Sequence, residues 1–247
     1  MGDELETREK LLESAMAEFS ENGYMKASLR KICADAGVTT GALYFFFKNK
    51  NDLFKAIVDE PLKELCRLLT EHYMQDAQDM DSDDPAVLSA EYHIDTHTDL
   101  DKLVDYMYLH YDVFMLLLTG AQGSEYENTV DMIVDMTEQG FRISAEKAAA
   151  RMPNCHVDEY MLHWITHISV DAYTHLLTHE RDVEKAKLHM RRVMEFLIKN
   201  MVYNDSRGLE NCRLRAVTFR NLHNNVMCEF CISNVDEMCR YAHFYIK

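Results

Sequence analysis

Apolar residues return along most of this chain at the three- and four-residue intervals of a helix facing a core. Leu11, Leu12, Ala15, Met16 and Phe19 form the first such stripe, with Thr7 as the expected cap and Asn22-Gly23 as its stop. Ser28 then caps a short helix holding Leu29 and Ile32, Gly37 ends it, and Thr39 caps another from Thr40 to about Phe46. Asn49, with Asp52 three residues on, opens a long helix through Leu53, Ile57, Leu65, Leu68 and Leu69 that must bend or break at Pro61. Asp76 to Pro85 is acidic and poor in large apolar residues, which predicts a loop. Asp105 to Leu118 is apolar on nearly every side and predicts one helix buried all round. Three stripes follow: Tyr126, Val130, Ile133, Val134 and Phe141; Met161, Trp164, Ile165, Ile168, Ala172 and Leu176; and Ala186, Met190, Val193, Met194, Leu197 and Met201. No repeat of 20 to 50 residues is evident. The pattern predicts an all-α protein: an N-terminal three-helix unit over residues 1–50, a helical domain over 51–203, and an appendage at 204–247 whose apolar residues keep no period.

Composition sharpens this. In 247 residues, 47% apolar, there are only 8 Gly and 3 Pro, which disfavours turn-rich sandwiches and glycine-loop enzymes. Val113 to Leu118 is far short of a membrane span, and Met1 to Lys10 is charged where a leader would be apolar, so a cytoplasmic protein is expected, with no membrane partner. Seven Cys without an export signal predict free thiols.

The net charge of −16 argues against a surface that binds nucleic acid everywhere, but it is unevenly spread. Residues 56–203 carry 12 basic and 28 acidic side chains, whereas 1–55 carry 8 and 9. Between Tyr24 and Lys50, Lys26, Arg30, Lys31, Lys48 and Lys50 face only Asp35, a local excess of four positive charges that suits phosphates.

That basic segment encloses a helix-turn-helix pattern from Ile32 to Tyr44. Two helices crossing through a tight turn need small residues where they touch (Cys33, Ala36), a residue that adopts positive φ (Gly37) and apolar anchors on both sides (Ile32, Val38, Leu43). The second helix would enter a major groove by its N-terminal end, where Thr39, Thr40, Gly41 and Ala42 are small enough for close approach.

At these residues the sequence resembles the TetR/AcrR family of bacterial transcriptional regulators. The resemblance rests on Gly23-Tyr24, Ser28, Ile32-Cys33, then Ala36-Gly37-Val38-Thr39-Thr40-Gly41-Ala42-Leu43-Tyr44, and on Phe45, Phe46, Phe47, Lys48, Lys50 and Leu53. It covers residues 7 to about 60; the remainder matches only in helix number and length. It implies that Thr39, Thr40 and Ala42 approach bases, that Gly41 permits close approach, and that Tyr44 and Lys50 hold phosphates, supported by Lys26, Ser28, Phe45 and Lys48. Phe46 stands where the family often has His or Tyr. The implied mechanism is a homodimeric repressor on a palindromic double-stranded operator, released by a small molecule and coupled through the helix carrying Pro61. An activator or a ligand-independent DNA-binding protein of the same architecture is the alternative.

The resemblance also implies a ligand site. Tyr106, His110, Tyr111, Phe114 and Met115, with Met132, Met136 and Trp164, would line an adaptable apolar pocket, and the acidic surroundings would favour a lipophilic cation. The dimer would form through the last two stripes, at Ile165, Ile168, Ala172, Leu176, Met190, Val193, Met194 and Leu197. His163, His167 and Asp171 recur every four residues, as metal ligands on one helix face would, but a polar stripe without metal is the preferred reading, and no cofactor is expected. Cys212, Cys228, Cys231 and Cys239 with His223 and His243 lack standard finger spacing. No nucleophile elbow, Walker loop or His-Glu-x-x-His helix is present, so an enzyme such as a helical hydrolase is the poorer reading.

Overall fold

The computed structural model describes residues 2–84, 98–151 and 156–201, with side chains over 4–84, 100–151 and 156–194. Among these residues every regular element is an α-helix. In chain order they are α1 (Gly2–Lys26), α2 (Leu29–Asp35), α3 (Thr40–Phe46), α4 (Lys50–Asp79), α5 (Thr98–Leu109), α6 (Tyr111–Thr119), α7 (Thr129–Ala150), α8 (Glu159–His179) and α9 (Val183–Met201). The expectations for residues 204–247 and for the side chains of Leu197 and Met201 fall outside the described residues. Residues 1–203 form one compact unit.

The predicted caps form. Ser28 accepts from the Lys31 amide, Thr39 from that of Ala42, and Asn49 from that of Asp52. Asp52 returns its carboxylate to the Lys48 amide at 3.0 Å, one residue before the cap itself. Gly23 (φ 70°, ψ 164°) breaks α1, so its last turn points the chain into α2.

Several boundaries differ from the sequence reading. The first helix starts at Gly2, not after Thr7, because acidic residues occupy its opening turns, where the helix dipole favours them, and Glu6 pairs with Lys10 at 2.7 Å. α4 runs straight through Pro61 and consumes the first four residues of the expected loop. Basic side chains of α7 hold that extension: the Lys147 ammonium donates to Ala77 O (2.8 Å) and meets Asp81 (2.6 Å), and Arg151 donates to the carbonyls of Met80 and Ser82. Cations on the orphan carbonyls of a helix end stabilise it. Tyr126 lies in the turn before α7, which Asn128 opens.

The segment expected to be one helix buried all round is two helices, broken at His110 (φ −109°, ψ 34°), and Leu109 beside the break is 76% exposed. Two tyrosines flank the break and hold it against the end of α8. Tyr108 donates to Glu180 O (2.9 Å) and Leu176 O (3.3 Å), and Tyr111 to Leu177 O (2.7 Å).

The core runs continuously from Leu11, Phe19, Ile32, Leu43 and Phe54 in the N-terminal helices, along α4 through Val58, Leu62, Leu65 and Leu69, to Leu103, Leu116, Leu177 and Met190. α4 is therefore shared between the two ends of the unit. Its far half lies close on α7 because Gly140 has no Cβ; one added there would overlap the Tyr73 ring.

Candidate nucleic-acid interface and the cavity behind it

Glu18 on α1 positions the start of α2. Its side chain is almost fully buried, accepts the Ser28 amide at 2.9 Å and pairs with the Lys31 ammonium at 2.7 Å; these partners hold its carboxyl below the usual carboxylate range. Ser14 Oγ donates to Ile32 O at 2.9 Å, fixing the other end of the same short helix. Gly37, at φ 68°, makes the turn, with its amide on Ala34 O and the Val38 amide on Cys33 O. α3 is then anchored by Leu43, fully buried, and by Phe47 just beyond its end.

This scaffold leaves the outer side of α3 bare. Thr39, Thr40, Gly41, Tyr44 and Phe45 are exposed, Ala42 and Phe46 are partly buried, and Lys26, Ser28, Arg30 and Lys48 in the flanking segments are exposed as well. Phe45 is 72% exposed and Tyr44 53%, so two aromatic rings stand in solvent on a helix with few other large side chains. A Cβ added at Gly41 would meet only Thr39 Oγ1, at 3.7 Å.

Lys50 departs from the expectation of a phosphate-holding cation. It is half-buried and donates to Ala27 O (2.8 Å) and Met25 O (3.2 Å), over the face of Tyr24 at 4.8 Å. Burial lowers its pKa. It clamps the α1–α2 connection. Lys31 is likewise committed to Glu18 and Glu21. Arg30 is the exposed cation that the candidate set omitted; its place outside α2 was readable from Ile32 and Cys33 facing inward.

Behind α3 the unit holds an apolar cavity of about 90 Å³, partly open to solvent, between α4, α5, α6, α7, α8 and Met194 of α9. Its walls are chiefly Leu62, Leu65, Leu69, Leu103, Ile133 and Val170, with His72, Tyr73 and Tyr173 as the larger polar groups. Of the eight residues expected to line it, only Phe114 does. Met132 and Trp164 are exposed at 42% and 39%. Tyr106 donates to Pro61 O at 3.3 Å and Tyr111 grips α8, while His110 sits at the helix break. Met115 and Met136 pack against the core from outside the lining. The misassignment follows from reading 105–118 as one continuous helix. Among the described residues no Asp or Glu lines the cavity, so the charge that suggested a cationic ligand lies elsewhere.

The expected dimer residues divide. Ile165, Leu176, Met190 and Met194 are buried in the chain's own core, whereas Ile168, Ala172 and Val193 are partly buried. The stripe chosen for its hydrophobicity was the one a single chain buries first. The outer face of α8 instead carries Tyr160 (74% exposed), Trp164 and the exposed row His163, His167, Asp171, His175 and His179, with Leu188 exposed on α9. His163 Nδ1 lies 2.7 Å from Glu138, and the His163 and His167 rings are 4.5 Å apart. Among the described residues no three His, Cys, Asp or Glu are arranged to hold a metal. Cys33 and Cys66 are free thiols, and no described helix is long and apolar enough to cross a membrane.

Residues 11–57 match the sequence profile of bacterial regulatory proteins of the tetR family. Over 69 residues, 28% of this chain and 30% of the relative, the sequence is 41% identical to a probable acrEF/envCD operon repressor of Escherichia coli strain K12. Over 52 residues, 21% of this chain and 24% of the relative, it is 48% identical to the HTH-type transcriptional regulator AcrR of Shigella flexneri. The chain thus spans under a third of the length of these curated relatives, and the likeness is confined to a short segment. A TetR family transcriptional regulator, PfmR from Thermus thermophilus, shares the fold with a TM-score of 0.50 at 19% identity, over 76% of this chain and 97% of that one. With its α1–α3 unit and the profile match at 11–57, this chain is similar over its N-terminal segment to bacterial regulatory proteins of the tetR family, and its all-helical body shares the fold of PfmR.

Proposed function

We propose that the chain is a DNA-binding transcriptional regulator, acting as a homodimeric repressor that a small lipophile releases from a palindromic operator. The observation that carries this reading is the bare outer side of α3: Thr39, Thr40, Gly41 and Tyr44 exposed on a helix anchored by buried Leu43, with Lys26, Arg30 and Lys48 exposed in the flanking segments. Small side chains admit the helix to a major groove, and the surrounding cations neutralise phosphates without themselves reading sequence. That one relative above is described as a probable operon repressor supports the sign of regulation.

The dimer supports two such helices at once, about 34–36 Å apart, one turn of DNA. Its interface is the outer face of α8 and α9, where Tyr160, Trp164 and Leu188 leave apolar surface in water. A ligand in the cavity acts on DNA through two routes. α4 runs from the cavity wall to the end of α3, and the Tyr24 amide at the end of α1 is bonded to Gly120 at the end of α6. A ligand that favours one placement of α4 and α6 shifts the spacing of the two α3 helices, and its coupling to DNA is reciprocal.

Fluorescence anisotropy on the intergenic DNA upstream of the chain's own coding sequence tests the reading. Specific binding by a dimer, with affinity falling steeply in salt and lost in a Thr40→Asp variant of unchanged thermal stability, is the expected result. A folded protein that binds this DNA no better than random sequence, or that sediments as a monomer at micromolar concentration, overturns the reading or its dimeric part respectively.

A further inference from the structure

Tyr173 on α8 lines the cavity, and its hydroxyl is buried with no hydrogen-bond partner among the described residues. Every other polar side chain of the described wall is engaged. Tyr73 donates to Thr137 Oγ1 at 2.9 Å, Ser169 to Ile165 O at 2.9 Å, Thr174 to Asp171 O at 2.9 Å, Thr129 to Tyr126 O at 2.7 Å, and His72 faces Asp76 at 3.6 Å. The wall is otherwise leucine, isoleucine, valine, methionine and phenylalanine, apart from the aliphatic stems of these groups.

An orphaned hydroxyl in an apolar cavity is costly, and it persists where something else completes it. We propose that Tyr173 is the anchor of the ligand site: its hydroxyl donates to the single hydrogen-bond acceptor of a neutral, otherwise apolar ligand, such as a ketone, ester or lactone oxygen. This rests on the cavity being the ligand site proposed above. The chemistry of the wall selects against charge at either sign. No carboxylate among the described residues lines the cavity to receive a cation, and the one group that can become cationic, His72, already has Asp76 beside it. Burial drives the Tyr173 pKa far upward, with Tyr73 and Asp101 acting in the same direction, so the hydroxyl stays protonated and serves as a donor. An acceptor is then what it lacks. A ligand without one leaves the hydroxyl as orphaned as before and gains only the apolar contact.

The test uses the full chain and Tyr173→Phe, which keeps the ring and removes the oxygen. Without ligand, Tyr173→Phe unfolds at the same temperature as the parent or higher, because no bond is lost. A midpoint several degrees lower would mean the hydroxyl is already satisfied, and would overturn the proposal. With ligand, displacement of N-phenyl-1-naphthylamine is measured for 2-decanone, which has one acceptor, and for butylbenzene, which has none. Tyr173→Phe weakens 2-decanone about tenfold, the loss of one hydrogen bond made in a dry site, and leaves butylbenzene unchanged. Equal behaviour of the two compounds across the two proteins would overturn the anchor while leaving the cavity as a ligand site. Failure of the fluorophore and both compounds to bind the parent protein would remove the cavity itself from the proposed function, and the anchor with it.

Discussion

The backbone amide of Tyr24 donates to the carbonyl of Gly120 at 2.7 Å, joining the last turn of α1 to the end of α6. Both partners sit beside residues that must be small. Gly23 holds φ 70°, and a Cβ on it would lie 3.6 Å from Gly120 O. A Cβ on Gly120 would lie 2.8 Å from the tip of Leu116, 3.3 Å from Leu116 O and 3.5 Å from the Cα of Gly23. The N-terminal helices and the cavity-bearing helices are thus in backbone contact at two glycines.

Gly120→Val is therefore expected to push the two backbones apart. Its φ of −126° is open to any residue, so the cost comes from overpacking alone, about 1–3 kcal/mol. Urea unfolding measures it. In the same variant a ligand in the cavity loses one of its two routes to α3, and its effect on DNA affinity shrinks. Unchanged stability together with unchanged ligand response would show that the contact carries neither load.

Glu18 gives the N-terminal unit a pH dependence. Its carboxyl is held below the ordinary value of 4.5 by Lys31 first and then by the Ser28 amide. A depressed carboxylate stabilises the fold above its unfolded pKa and loses that contribution as pH falls through the folded one. Glu18→Gln keeps the acceptor for Ser28 but cannot hold the ammonium, and at neutral pH it should cost about 2 kcal/mol as a charged hydrogen bond is lost. The gap between parent and variant is expected to stay constant above roughly pH 5.5 and to close as acid protonates Glu18. A gap that persists undiminished to pH 3 would assign the loss to packing.

What could be read from the sequence, and what could not, divides along local and long-range physics. Ser28, Gly37, Thr39 and Asn49 act on backbone within four residues of themselves, and all four do what their positions predict. Glu18 acts on Ser28 across ten residues and two changes of direction, and no spacing rule finds that. The extension of α4 to Asp79 depends on Lys147 and Arg151, some seventy residues away, so the acidic run that looked like a loop is a helix end with its counter-charges supplied from α7. The cavity was misplaced for a related reason. Its lining depends on how α5 and α6 rotate about His110, and the tyrosines that set this rotation bond to α8, which periodicity within residues 105–118 does not encode.

Two lysines two residues apart should separate cleanly in DNA binding. Lys48 is exposed and Lys50 is bonded to the carbonyls of Met25 and Ala27. Lys48→Ala is expected to leave stability alone and to reduce the slope of log affinity against log salt by about 0.9, one phosphate contact. Lys50→Met retains the stem over Tyr24 but frees two carbonyls, so it lowers stability before it touches the slope. If instead Lys50→Met removes a full phosphate equivalent without destabilising the fold, its ammonium leaves the two carbonyls when DNA arrives.

Pro61 tests how α4 transmits. It lies within the helix, where its ring removes the amide that would bond Ile57 O, yet α4 continues for another eighteen residues. Three nearby contacts hold this stretch: Tyr106 donates to Pro61 O at 3.3 Å, Tyr126 donates to Asp59 at 2.9 Å, and Lys63 meets Asp59 at 2.6 Å. The weakened turn is thus tied to α5, which borders the cavity, and to the turn that leads into α7, which borders it on another side. If it serves as a hinge, Pro61→Ala restores the missing amide, stiffens the helix and weakens the ligand's effect on DNA, while DNA affinity without ligand is kept. Tyr106→Phe should do the opposite, loosening the turn from α5 without adding a helical bond. Anisotropy titrations of DNA with and without a saturating cavity ligand measure both. A ligand response in Pro61→Ala equal to that of the parent would reduce Pro61 to a tolerated kink, and the coupling would then fall to the Tyr24–Gly120 contact.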